Sequence, residues 1–201
     1  MQFGRSIALL LGAGALALTS ACSSSSPDSG KGDGAPSKTA ASGAASAGLG
    51  AAELQERWWN WAGTAPGSAN PVDDEDGHLC GDRQASDVWF LAGTHGGPAT
   101  RTCKLPSGIL VAFPLVNRIA TKSDCETFMT SAKGSATLDG KAVEPQRLDA
   151  TPIKDNGPGA MACGLWVRLG PLSPGEHTLS FEGSSGTFST SVDYRLEAGG
   201  R

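Results

Sequence analysis

The stretch LWVRLGPLSPGEHTLSFEGSSGTFSTSVDYRLE, residues 165–197, decides the fold. Leu165, Val167 and Leu169 alternate with Trp166 and Arg168. The dipeptide Pro174-Gly175 marks a turn. His177, Leu179 and Phe181 then alternate with Thr178, Ser180 and Glu182. Last, Phe188, Thr190, Val192, Tyr194 and Leu196 alternate with Ser189, Ser191, Asp193, Arg195 and Glu197. In a strand, successive side chains point to opposite faces, so this period of two reads as half-buried antiparallel strands with one wet face.

Upstream, the same logic gives further short strands. Val88–Ala92 (VWFLA) reads as a buried strand, Thr100–Lys104 as a short one, and Ile109–Phe113 as a second buried strand ending at Pro114. Asp139-Gly140 is a strong hairpin signal. Two short helices are expected. Glu53–Trp61 places Leu54, Trp58 and Trp61 on one face and leaves Trp59 off it, with Gly63 as a stop. Ser123–Lys133 has Ser123 as N-cap, Glu126 at the third helical position and Gly134 as its end. The expected fold is therefore mainly β, an antiparallel β-sandwich with one or two short helices.

The region before the sandwich reads differently. Arg5 followed by the apolar run Ile7–Leu18 and then Thr19, Ser20, Ala21 and Cys22 has the form of a lipoprotein export signal. The run is too short to span a bilayer. Residues 1–21 are thus read as a signal peptide, with Cys22 as the lipidated N-terminus of the mature chain. Residues 22–50 are Ser-, Gly- and Ala-rich and lack a large apolar side chain before Leu49, which reads as a disordered tether reaching roughly 30 Å. Residues 51–197 are read as the sandwich domain. The expected location is the extracytoplasmic side of a membrane, with the membrane itself as a partner through acylated Cys22.

The chain has 5 cysteines, which leaves Cys80, Cys103, Cys125 and Cys163 for the exported domain. An even number in that compartment reads as two disulfides. Three pairings are possible. A hairpin-like return between Cys80 and Cys103 favours that pair, and Cys125 with Cys163 follows. A net charge of −4 gives no basic field for nucleic acid.

Tests for enzyme motifs are negative. The sequence lacks a G-x-S-x-G elbow, a phosphate-binding loop, H-E-x-x-H and a dinucleotide fingerprint. No catalytic residue, metal ligand or cofactor is assigned, and the chain is read as a non-enzyme. The acidic run Asp73, Asp74, Glu75 and Asp76 lacks the spacing of a helix–loop–helix calcium site. The segment W-W-N-W-A, the segment D-V-W-F-L-A-G-T-H-G-G-P-A-T-R-T-C-K-L-P-S-G-I-L-V-A-F-P-L-V-N, and the tail G-L-W-V-R-L-G-P-L-S-P-G-E-H-T-L-S-F-E-G resemble a group of bacterial exported proteins and lipoproteins of unknown function. The likeness covers most of Trp58–Tyr194 and implies no activity.

A ligand site, if present, is expected at Trp59, Trp89, Thr94, His95, Arg101 and Asn117. Trp59 lies off the apolar stripe and offers an aromatic platform. His95 sits in G-T-H-G-G, where glycines let a ligand approach backbone. Arg101 has the geometry for a carboxylate or phosphate, or for an internal bridge to Asp82 or Asp87. Asn117 follows F-P-L-V. The reading is a binding or structural module of the cell envelope, with a glycan or a protein as partner. The alternatives are a hydrolase built around His95 and Arg101, with Asp82 or Asp87 beside the histidine, and an adhesion domain stabilised by calcium at Asp73–Asp76.

Overall fold

The computed structural model describes residues 48–63 and 69–199, all within one compact unit, Ala41–Arg201. The segment expected to be a signal peptide, Cys22, and the expected tether up to residue 47 lie outside the described residues. The elements in chain order are α1 (Ala51–Gly63), β1 (Val88–Phe90), β2 (Gly97–Pro106), β3 (Leu110–Ala120), α2 (Lys122–Ser131), β4 (Lys133–Leu138), β5 (Lys141–Val143), β6 (Gln146–Pro152), β7 (Met161–Leu169), β8 (Gly175–Ser185) and β9 (Phe188–Gly199).

They form a β-sandwich. One sheet has the order β1-β3-β7-β6 and the other β2-β9-β8-β4-β5. The stretch 165–197 supplies most of β7 and nearly all of β8 and β9, and these last two pair antiparallel from Gly175↔Ala198 to Ser185↔Phe188. Each sheet also holds one parallel pair, β1 with β3 and β2 with β9, so both sheets are mixed. The parallel pairs arise because β2 crosses to the second sheet between β1 and β3. Tight hairpins cannot join parallel neighbours.

Apolar side chains from both inner faces fill the space between the sheets, including Val111, Phe113, Val167, Leu179, Val192 and Leu196. Phe113 and Phe181 stack at 4.7 Å between centroids. Helix α1 covers the outer face of the first sheet with Leu54, Trp58 and Trp61 against Phe90, Ala112 and Trp166. Trp166 is therefore fully buried although it alternates with core residues, because its face of β7 is roofed by a helix. The disulfides are Cys80–Cys103 and Cys125–Cys163, closing separations of 23 and 38 residues. On loop-closure entropy each stabilises by about 3–4 kcal/mol.

Local expectations are corrected at α2 and at β3. Helix α2 is capped by Thr121, not Ser123: the Thr121 hydroxyl accepts from the Asp124 amide at 3.2 Å. Glu126 pairs with Lys122 at 2.7 Å. Strand β3 does not end at Pro114. Its pairing with β7 shifts between Pro114 and Val116, a bulge that absorbs the proline's missing N–H and lets the strand run on to Ala120. The hairpin at Asp139-Gly140 forms as expected, with both residues at positive φ, 51° and 74°.

Candidate functional site

The β3 bulge shapes one wall of a cavity. At the bulge the backbone presses close to glycines of neighbouring strands. A Cβ at Gly183 would lie 2.0 Å from the Leu115 carbonyl oxygen, and one at Gly164 would lie 2.5 Å from that of Val116. Glycine at these two positions is what lets Pro114–Asn117 adopt its course. Between this segment, α1 and the 93–95 loop lies a cavity of about 160 Å³. Pro114, Leu115, Val116 and Val72 give it apolar walls, and Trp58, Trp59 and Phe188 its aromatic ones. Thr94, His95, Asn117 and Thr190 supply the polar lining.

Four of the six residues expected at a site thus converge on one cavity: Trp59, Thr94, His95 and Asn117. Trp59 stands edge-on to Trp58, with centroids 5.1 Å apart. The two indoles differ in a telling way. Trp58 Nε1 donates to the Leu91 carbonyl at 2.9 Å, whereas Trp59 Nε1 is buried without an acceptor among the described residues. Asn117 Nδ2 is likewise buried and unpartnered. A buried donor left unsatisfied costs about 1–3 kcal/mol. Gln55, Trp89, Trp166 and Arg168 also hold unpartnered buried atoms, yet none of these four lines the cavity.

Thr94 is fixed in place. Its amide donates to Thr190 Oγ1 at 3.1 Å, and its hydroxyl donates to the Gly97 carbonyl at 2.9 Å. His95 sits at the rim, with Nε2 3.3 Å from Asp73 Oδ1; the two side chains are 68% and 55% exposed. Asp87 is not beside His95. It takes a two-pronged pair from Arg57, at 2.9 and 2.5 Å, which holds the Asp87 carboxyl below its usual range.

Trp89 and Arg101 stand apart from the cavity. Trp89 packs at the edge of the main core. Arg101 is only 2% exposed and bridges to neither Asp82 nor Asp87. Its guanidinium donates to carbonyls at Asp74 (2.6 Å), Ala92 (2.8 Å), Gly93 (2.9 Å) and Val72 (3.1 Å). It also meets the Tyr194 hydroxyl at 3.1 Å, and that hydroxyl donates to the Ala92 carbonyl at 3.0 Å. Burial pushes the Tyr194 phenol up. Since Val72 and Gly93 line the cavity, Arg101 holds its walls from behind.

The acidic loop is organised by its own backbone. Asp74 is buried and its carboxylate accepts from the Gly77 amide at 3.1 Å and the Leu79 amide at 2.8 Å. His78 lies 2.6 Å from Asp76 and 2.9 Å from Asp74, and the hydrogen bond it donates to the Asp76 carboxylate raises its pKa. Asp74, Asp76 and His78 are close enough together to hold a cation, but Asp73 is turned to His95 instead. Cys80, two residues after His78, is held in the disulfide with Cys103. No helix of the described residues is long and apolar enough to cross a membrane.

No family model matches the chain, and no curated protein matches it. The solved structure of the cysteine protease inhibitor EhICP2 from Entamoeba histolytica is similar over 52% of this chain and 100% of its own, at 14% identity and a TM-score of 0.28. A likeness at that score carries no argument about this chain.

Proposed function

We propose that this chain is a cell-envelope lipoprotein that displays its disulfide-bonded sandwich as a non-enzymatic binding module. Acylated Cys22 holds it to the extracytoplasmic face of a membrane, residues 22–50 act as the tether, and the Trp59–Asn117 cavity takes the ligand. The observation that carries the binding reading is the pair of buried N–H groups, on Trp59 and Asn117, whose side chains border a preformed cavity with apolar walls. Pockets that combine apolar lining with a few convergent polar groups are the usual form of small-ligand sites. The cavity has the volume that accepts about one six-membered ring.

Two donors without acceptors ask for a ligand that brings oxygen: a carbonyl or a hydroxyl beside an apolar group. The same lining speaks for recognition over acid–base chemistry. His95 and Asp73 are both more than half exposed, whereas acid–base catalysis works best with groups held in a site that shields them from water.

The test follows the indole N–H of Trp59 by NMR in the full chain while benzamide, N-acetylphenylalaninamide and N-acetylglucosamine are titrated in turn. At least one probe is expected to move the Trp59 and Asn117 side-chain signals while leaving Trp166 in place. If all three leave Trp59 unmoved, the binding reading fails. The anchor is tested separately by mass spectrometry of the mature N-terminus, which is expected at an acylated Cys22; any other terminus contradicts it.

A further inference from the structure

The cavity does not stand alone. Asn117 and Phe188 also line a second, wider hollow of about 480 Å³ formed by β3, α2 and the β8–β9 hairpin. The two spaces are therefore neighbours that share those two residues in their linings. The second hollow has a different chemistry. Its walls carry the rings of Phe128 and Phe188, the hydroxyl-bearing residues Thr127 and Thr187, and one charged residue, Arg118. Arg118 is exposed and makes no ion pair among the described residues. The arginines at 57, 147 and 195 are all paired with carboxylates. Arg118 is thus an arginine without an ion pair among the described residues, in a hollow that Phe128 and Phe188 also line and in a chain of net charge −4.

We propose that the two adjoining hollows bind a peptide end: an apolar side chain fills the inner cavity, and the free C-terminal carboxylate lies on Arg118. This rests on the binding reading above and specifies its ligand. The planar fork of an arginine matches a carboxylate through paired N–H bonds. The inner cavity has room for one ring or branched side chain, and the unpartnered N–H groups of Trp59 and Asn117 suit the carbonyl of the preceding peptide unit. A saccharide fits less well. Its many hydroxyls call for carboxylate, amide and guanidinium partners, and the inner lining supplies one amide and no carboxylate.

The experiment titrates the full chain with N-acetyl-Ala-Phe as the free acid, with the same dipeptide as its amide, and with N-acetylglucosamine. Affinity and the Trp59 indole signal are read together. The acid is expected to bind about tenfold tighter than the amide, the size of one charge-assisted contact. In Arg118→Gln that ratio is expected to fall to about one, while the amide still moves Trp59 as it does in the native chain. Equal binding of acid and amide to the native chain overturns the role of Arg118 and leaves the inner cavity as a site. A preference for the acid that survives Arg118→Gln overturns it too. Movement of Trp59 by N-acetylglucosamine alone overturns the peptide and keeps the inner cavity. If no probe moves Trp59, the peptide and the binding reading fall together.

Discussion

Two buried polar centres lie on either side of the same loop and are built in opposite ways. Around Arg101 a fully enclosed guanidinium meets four backbone carbonyls and a phenol, and no donor faces empty space. Around Trp59 and Asn117 two buried N–H groups have no acceptor, and a cavity stands beside them. The first arrangement is a clamp: it ties the 72–74 segment to the 92–93 segment and so fixes the cavity's wall. The second leaves its hydrogen bonds for something else to complete. The difference between the two centres lies in an unsatisfied donor standing beside open space, which Arg101 lacks and Trp59 and Asn117 have.

The largest effect is expected at the clamp. Arg101→Met strips a cation from four carbonyls that stay buried, and equilibrium unfolding is expected to show a loss of about 3–5 kcal/mol. A loss under about 1 kcal/mol would make Arg101 dispensable and break the contrast. The neighbouring tryptophans sharpen it. Trp58→Phe removes a donor that the Leu91 carbonyl uses and shrinks a packed ring, so about 2–3 kcal/mol is expected to go. Trp59→Phe removes a donor that nothing uses, so its stability change is expected to stay within about 1 kcal/mol. Equal losses at the two positions would show that Trp59 is ordinary packing.

A third polar centre gives a comparison governed by pH. His177 Nδ1 lies 2.7 Å from Asp139 Oδ2, and Nε2 lies 3.0 Å from the Ser173 carbonyl oxygen. The hydrogen bond to Asp139, and then that to Ser173, raises the His177 pKa, while His177 and the Thr178 amide lower that of Asp139. Stability from the raised histidine is whole below its unfolded value of about 6.5 and fades as pH climbs through the higher folded value. Stability from the lowered aspartate is whole above its unfolded value of about 3.9 and fades as pH falls through the lower folded value. The pair therefore stabilises most between about pH 4 and 6.5. The Tm difference between the native chain and His177→Gln is expected to be largest near pH 5.5 and to shrink in alkali. A difference that does not vary with pH would remove the ion pair from the account.

Much of this could be read in the chain. The strict alternation over residues 177–182 and 188–197 gave β8 and β9, since one face of each meets the core and the other meets water. Trp59 was separable because it falls off the Leu54–Trp58–Trp61 stripe. The G-T-H-G-G loop drew attention to Thr94 and His95, and Asn117 joined them through the strand after F-P-L-V. What the chain hid has physical reasons. The parallel pairing of β2 with β9 is set by a crossover, and local period carries no information about which strand lies alongside. Strand β6, QRLDATP, is an edge strand whose burial scarcely alternates, so it has little pattern to detect. Pro114 looks like a stop until a bulge absorbs it. Arg101 looks like a ligand-binding arginine because its acceptors are backbone carbonyls at Val72, Asp74, Ala92 and Gly93, which no side-chain motif announces.

The measurement that bears most directly on the cavity is equilibrium unfolding of Asn117→Leu in the full chain. Leucine has the same number and branching of side-chain heavy atoms as asparagine and removes the unpartnered N–H from an apolar lining. If that group is held for a ligand, the folded protein gives up nothing by losing it. The variant is expected to match the native chain or exceed it by up to about 1 kcal/mol, the pattern of a site kept at some expense of stability. A loss greater than about 1 kcal/mol would mean that Asn117 is a satisfied structural residue, and the contrast between the clamp and the cavity would be wrong.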